Sequence, residues 1–135
     1  MSVTKLLLLY LLTTPVFFAI DMTWLGVIAK NMYKRELGFL MRTDIVWWAA
    51  ILFYLLFILG ILYYAVLPAH AAGSWVKALY LGALFGFFTY MTYDLTNYAT
   101  LKDWPLTIVF VDTAWGVVLS ASVAVISFFI AGFIA

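Results

Sequence analysis

Asp21, Asp94 and Asp112 sit inside stretches that are otherwise almost wholly apolar, and each has aromatic or amide company at helical spacing. In "DMTWLG" (Asp21 to Gly26) and "DTAWG" (Asp112 to Gly116) a tryptophan, Trp24 or Trp115, follows the Asp by three residues. That interval puts ring and carboxyl on one helix face. In "TYMTYDLTNYAT" (Thr89 to Thr100) the equivalent position is Asn97, with Tyr90 a turn before Asp94, Tyr93 beside it and Tyr98 a turn after. Such a set admits three chemistries. Carboxyls with ring faces suit a cationic or amphipathic guest, through countercharge and cation–π or stacking contacts. Asp21, Asp94, Asn97 and Asp112 are also a hard-oxygen set of the kind that holds Mg²⁺ or Mn²⁺. Finally, two carboxyls in unlike surroundings can divide the work of general acid and general base.

The elements that carry these residues follow from composition. With 68% hydrophobic and 10% charged residues, the chain cannot build the charged surface of a soluble domain. An integral membrane protein is expected, as one domain over residues 1–135. The net charge is +1 and the seven Lys and Arg form no run, so nucleic acid is not an expected partner; the lipid bilayer is. The absence of cysteine excludes disulfides, thiolate nucleophiles and sulfur-ligated metals, and leaves the redox compartment open. A hydrocarbon core of about 30 Å takes roughly 20 helical residues. Four segments qualify, approximately 3–29, 45–67, 75–101 and 106–134. Short connections between them, with "PAHAAGS" (Pro68 to Ser74) and "KDWP" (Lys102 to Pro105) read as turns, predict an all-α, four-helix, up-down transmembrane bundle. The first segment resembles a signal peptide in part. It lacks a small-residue cleavage site and stays apolar through "MTWLGVIA", so it is read as a mature helix.

Lys30, Lys34, Arg35, Arg42 and Lys102 flank one side of the spans, and Lys5 and Lys77 the other. The positive-inside rule then places both termini away from the cytoplasm. The first connection, "KNMYKRELGFLMRTD", sets Met32, Leu37, Leu40 and Met41 among charges and reads as a short interfacial helix. Trp47, Trp48 and Trp104 read as interface anchors. Counting inward from Lys30, Lys102 and Pro105 puts Asp21, Asp94 and Asp112 roughly 10 Å below the cytoplasmic surface, at one common depth.

A charge near a helix centre costs roughly 2.5 to 3.5 kcal/mol on insertion scales, less toward the surface. No Lys or Arg lies in the spans at that depth, so the carboxyl set is expected to hold a proton or an ion. The alternative is structural: the same carboxyls as interhelical hydrogen-bond partners of Thr23, Thr96, Asn97 or Tyr93. "GALFG" (Gly82 to Gly86) and the stripe Gly116, Ser120, Ala124 read as close helix contacts, within the chain or in a homodimer. Pro15 is a tolerated kink. His70 belongs to the opposite side of the membrane.

"DMTWLG", "YKRELGFLM", "FYLLFILGILYYAVLPA", "GALFGFFTYMTYDLTNYATLKDWP" and "VDTAWG" together resemble a family of small four-span bacterial membrane proteins, domain of unknown function number twenty-one seventy-seven. The resemblance covers nearly the whole chain, and "YDLTNYATLKDWP" is its most specific part. It implies a bacterial inner membrane location, a four-helix architecture and motif positions at Asp21, Trp24, Gly26, Tyr93, Asp94, Asn97, Asp112, Trp115 and Gly116. It brings no activity with it.

The expected function is therefore binding or moving a small amphipathic, lipid-like or cationic ligand in a pocket on the cytoplasmic side, coupled to a proton or cation. Asp21, Trp24, Tyr90, Tyr93, Asp94, Asn97, Tyr98, Asp112 and Trp115 are the expected site. By analogy with small multidrug transporters a homodimer is expected on this reading, with the glycine or small-residue stripe at its interface. A membrane enzyme acting on a lipid or isoprenoid is the alternative; no cofactor is expected except Mg²⁺ or Mn²⁺ on that reading. The lack of Cys and of any nearby His argues against zinc, copper, haem and di-iron centres. An accessory subunit of a larger membrane complex is the third possibility.

Overall fold

In lipid a chain must satisfy its own backbone hydrogen bonds, and the helix does so within one segment. The computed structural model describes residues 1–135 and is all-α, without strands. Helix α1 (Val3–Thr23) opens at Ser2, whose hydroxyl accepts the Lys5 amide, and passes through Pro15 without breaking. It runs on as a π-helical turn, Trp24–Ile28, in which the Ala29 amide reaches back to the Trp24 carbonyl at 2.7 Å. The first connection then folds as a short helix, α2 (Lys30–Leu37), followed by a 3₁₀ turn at Gly38–Leu40.

The second long segment begins with α3 (Trp47–Ile61) and extends further than its expected end near Leu67. It continues through a π-helical turn, Leu62–Val66, into α4 (Leu67–Ala72). Pro68 lacks an amide hydrogen, so an unbroken α-helix would leave a carbonyl one turn earlier without its donor. The wider π turn absorbs that mismatch, and the helix survives the proline. The expected turn from Pro68 thus shrinks to Gly73 and Ser74. Gly73 takes the left-handed φ of 64° that ends α4, and the Ser74 hydroxyl accepts the Lys77 amide to start α5 (Trp75–Thr100). His70 accordingly lies on the last turn of α4, a helix rather than a loop. Helix α6 (Leu106–Ile134) follows Pro105, whose fixed φ suits a helix start.

Three helical segments, Val3–Ile28, Trp47–Ala72 and Leu106–Ile134, are long and apolar enough to cross a membrane. Helix α5 matches them in length, but its second half carries Thr89, Thr92, Asp94, Thr96 and Asn97.

The α5–α6 turn fixes the register on which the site depends. Asp103, an Asp able to take left-handed backbone, sits at its apex with φ of 61°. An antiparallel hairpin about residue 103 brings together residues whose numbers sum to 206, and the contacts obey that rule. Gly82 lies against Ala124, Gly86 against Ser120, and Gly116 against the Tyr90 ring. A Cβ added at Gly82 would fall 2.7 Å from both the Ala124 Cβ and the Ser120 carbonyl oxygen. The glycine motif and the small-residue stripe are therefore spent on each other within the chain, leaving neither as a free homodimer interface. Asp94 and Asp112, nine residues either side of Asp103, fall at one level by the same rule.

The apolar core lies away from this turn, around Leu9, Phe17, Ile58, Ile61, Leu119 and Val123. A buried Thr13–Ser127 hydroxyl bond of 2.9 Å joins α1 to α6 there. At the turn itself Trp104 is buried with Ile108 and Val109 under Met32, Tyr33 and Leu37 of α2. It is not the interface anchor expected, because α2 folds back over it. Trp47 and Trp48, by contrast, are exposed.

Candidate functional site

Near the end of the molecule that holds α2 and the Asp103 turn, α1, α2, α3, α5 and α6 enclose a cleft of about 520 Å³. Asp21, Tyr33, Tyr54, Tyr90, Tyr93, Asp112 and Trp115 give it polar atoms, and Leu25, Phe53 and Phe57 complete much of the wall. This volume lies within the usual range for small-ligand sites, about 300 to 1,000 Å³.

Two repeated motifs interlock across it. The Trp115 indole N–H donates to Asp21 Oδ1 at 2.9 Å, so α6 serves the carboxyl of α1. In the other direction the Trp24 indole N–H donates to the Tyr33 hydroxyl at 3.2 Å, and Tyr33 donates to Asp112 Oδ1 at 2.6 Å. The two indoles stack between these bonds, with centroids 4.6 Å apart. Tyr33 is brought there by α2, whose side facing the bundle carries Met32, Tyr33 and Leu37. Burial, and after it the neighbouring Asp112, push the Tyr33 phenol up from its ordinary range, which keeps it a donor.

Asp94 lies behind this surface. It is wholly buried, its carboxyl faces that of Asp112, and Oδ2 accepts a long bond of 3.5 Å from the Thr113 hydroxyl. Its Oδ1 has no donor. Tyr54 of α3 stands beside Asp21. No cation joins the group, since the ion pairs of the chain are Arg35–Glu36 and Arg42–Asp44, both in the first connection. Nor do the carboxylates gather into a set of three placed to hold a metal ion. Asp21 is held apart by Trp115, and Asp112 by Tyr33.

Of the residues expected from sequence, Asp21, Tyr90, Tyr93, Asp112 and Trp115 line the cleft. Trp24 and Asp94 stand in a layer behind, supporting Trp115 and facing Asp112 respectively. Asn97 and Tyr98 do not reach the cleft. Tyr93 packs edge-on against Trp104 with ring centroids 5.7 Å apart, which closes that end one turn before Asn97, and Tyr98 is about half exposed. Tyr33, Tyr54 and Thr113 were not anticipated. An amphipathic stripe of Met32, Tyr33 and Leu37 was the available signal for Tyr33. Tyr54 had none, being one ring in the uniformly apolar "ILFYLLFILG".

A protein family described as "Predicted membrane protein (DUF2177)" matches residues 6–129. No curated protein and no solved structure matches the chain.

Proposed function

As this chain belongs to the DUF2177 family of predicted membrane proteins, we propose that it binds or moves a small amphipathic, lipid-like or cationic ligand within the bilayer. The cleft beside Asp21, Asp112 and Trp115 is the site, and proton or cation exchange at the carboxyls accompanies binding. One observation carries this reading: two cleft carboxyls and a third behind them lie among seven aromatic residues without a Lys or Arg partner. Their charge has to be balanced by something that comes and goes, or by protons. Ring faces beside them suit either a cationic group or an apolar chain.

On this reading α5 is a fourth span of the bundle. Its 26 residues suffice for the crossing, and its most polar member, Asp94, is turned inward. Lys30, Lys34, Arg35, Arg42 and Lys102 would then lie at the cytoplasmic face of a bacterial inner membrane, with both termini on the other side. Asp21, Asp94 and Asp112 become intramembrane aspartates.

A second reading, an enzyme acting on a lipid or isoprenoid, rests on the facing Asp94 and Asp112 carboxyls. One of them is exposed to the cleft and the other sealed behind it, the unlike environments that acid and base roles require.

Native mass spectra of the gently solubilised wild type and of an Asp21/Asp94/Asp112→Asn variant test the proposal. A bound lipid or metal lost only in the variant supports a carboxyl-dependent site. A metal adduct would favour the enzyme; a lipid or organic adduct would favour the binding role. Bare protein in both samples, with the same oligomeric state, would count against a tightly held ligand and move weight to proton-linked transport or to a subunit of a larger complex.

A further inference from the structure

The cleft is not sealed from the side. Helix α5 meets the second long segment along Leu62–Val66 and Leu67–Ala72 and, through the Phe85 and Tyr90 rings, at Phe57 and Gly60, whereas no comparable packing joins it to the start of α3 before Phe57. Phe53 of α3 and Tyr93 of α5 frame the gap; both line the cleft, and they are 51% and 56% exposed. Farther in, Asp21 is only 3% exposed. A single cavity thus runs from an aromatic mouth, turned to where acyl chains would lie, down to an acidic floor.

We propose, resting on the binding role above, that the occupant is a single-chain amphiphile with an ammonium head that enters from the bilayer between Phe53 and Tyr93. The head seats against Asp21 and Asp112, and the chain remains in the mouth. The floor selects the head. A phosphate or sulfate brings negative charge against carboxyls that no cation offsets, and a neutral head leaves protons alone to neutralise them. An ammonium group pairs with the carboxyls and lies against the faces of Tyr54, Tyr90 and Trp115. Volume favours one chain, since a cleft of about 520 Å³ is sized for a single small ligand rather than for the two tails of a bilayer lipid.

Two photoactivatable probes test this on the full chain in liposomes of zwitterionic lipid: a hexadecylammonium and a hexadecyl sulfate, each with a diazirine in mid-chain. Crosslinks are mapped by peptide mass spectrometry. The ammonium probe should label α3 and α5 around the mouth at least about tenfold more than the sulfate, equivalent to about 1.4 kcal/mol of preference. Joint Asp21→Asn and Asp112→Asn substitution should reduce it to the level of the sulfate. A bulky maleimide on Phe53→Cys, the one thiol in a chain without cysteine, should abolish mouth labelling. Equal or stronger labelling by the sulfate in wild type overturns the ammonium head while leaving a bound amphiphile standing. Unchanged labelling with the mouth blocked overturns the lateral route. If neither probe marks the cleft above the level of other lipid-facing residues, the binding role fails as well.

Discussion

The indole rings of Trp24 and Trp115 lie face to face, 4.6 Å between centroids and 9° from parallel. Each belongs to an Asp-x-x-Trp motif, and each serves the carboxyl of the other motif, Trp115 directly and Trp24 through Tyr33. The arrangement ties the end of α1 to the start of α6 at three points. Trp115→Phe retains a ring and removes the donor to buried Asp21, so it should cost about 1 to 3 kcal/mol. Trp24→Leu removes the stack and should cost about 0.5 to 1.5 kcal/mol beyond its lost area. Denaturation in detergent measures both, and a Trp115→Phe variant as stable as wild type would remove the clasp.

Tyr33 is the one contact from α2 to the carboxyls. Tyr33→Phe deletes the donor to Asp112 and the acceptor for Trp24 together. A loss of about 1.5 to 3 kcal/mol is expected, as for hydrogen bonds to charged groups. Helix α2 should loosen with it. Faster amide exchange confined to Lys30–Leu37 and to Trp24–Ile28 is the expected pattern; unchanged exchange there would show that the apolar packing around Trp104 suffices to hold α2.

Gly86 and Gly26 make a controlled pair. A Cβ at Gly86 would run into the Gly116 backbone, whereas nothing lies within 4 Å of one at Gly26. Gly86→Ala should destabilise the chain by about 1 to 3 kcal/mol or more through forced separation of α5 and α6. Gly26→Ala, in a π-helical turn with open space, should be close to neutral. Because the stripe is internal, Gly86→Ala should lower the melting temperature without lowering the oligomeric state first. A variant that stays folded but loses a dimer would contradict the internal register.

The proposed topology can be read with single cysteines in a chain that has none. Arg42→Cys and Lys102→Cys should react with an impermeant maleimide only in inverted vesicles, and Ser2→Cys and Ser74→Cys only in intact cells or right-side-out vesicles. Matching behaviour of Ser74 and Lys102 would mean that α5 does not cross.

Residue pattern alone specifies the structure where the physics is local. Helix limits at Val3, Trp75, Leu106 and Ile134 came within a residue or so, because an apolar run bounded by Ser2, Ser74 and Pro105 leaves little choice. The apolar pattern ends the second helix at Leu67, because Pro68 reads as a break and the π turn that carries the helix past it cannot be seen in composition. Asp21, Asp94 and Asp112 were legible as a set by depth alone. Whether they met was not, since one sequence does not determine how each helix is rotated.

What the sequence determined by itself was class and level: a helical membrane chain of the DUF2177 family, with three carboxyls near one end of the bundle. In lipid the backbone must be satisfied segment by segment, so apolar length suffices to place the helices. The tertiary structure decided which groups face one another. The Asp103 turn set Asp94 opposite Asp112, α2 folded back to deliver Tyr33, α3 brought Tyr54 to Asp21, and Asn97 and Tyr98 were left outside. Those relations depend on packing between segments distant in the chain, on glycine against glycine and indole against indole. No property of any one helix contains them.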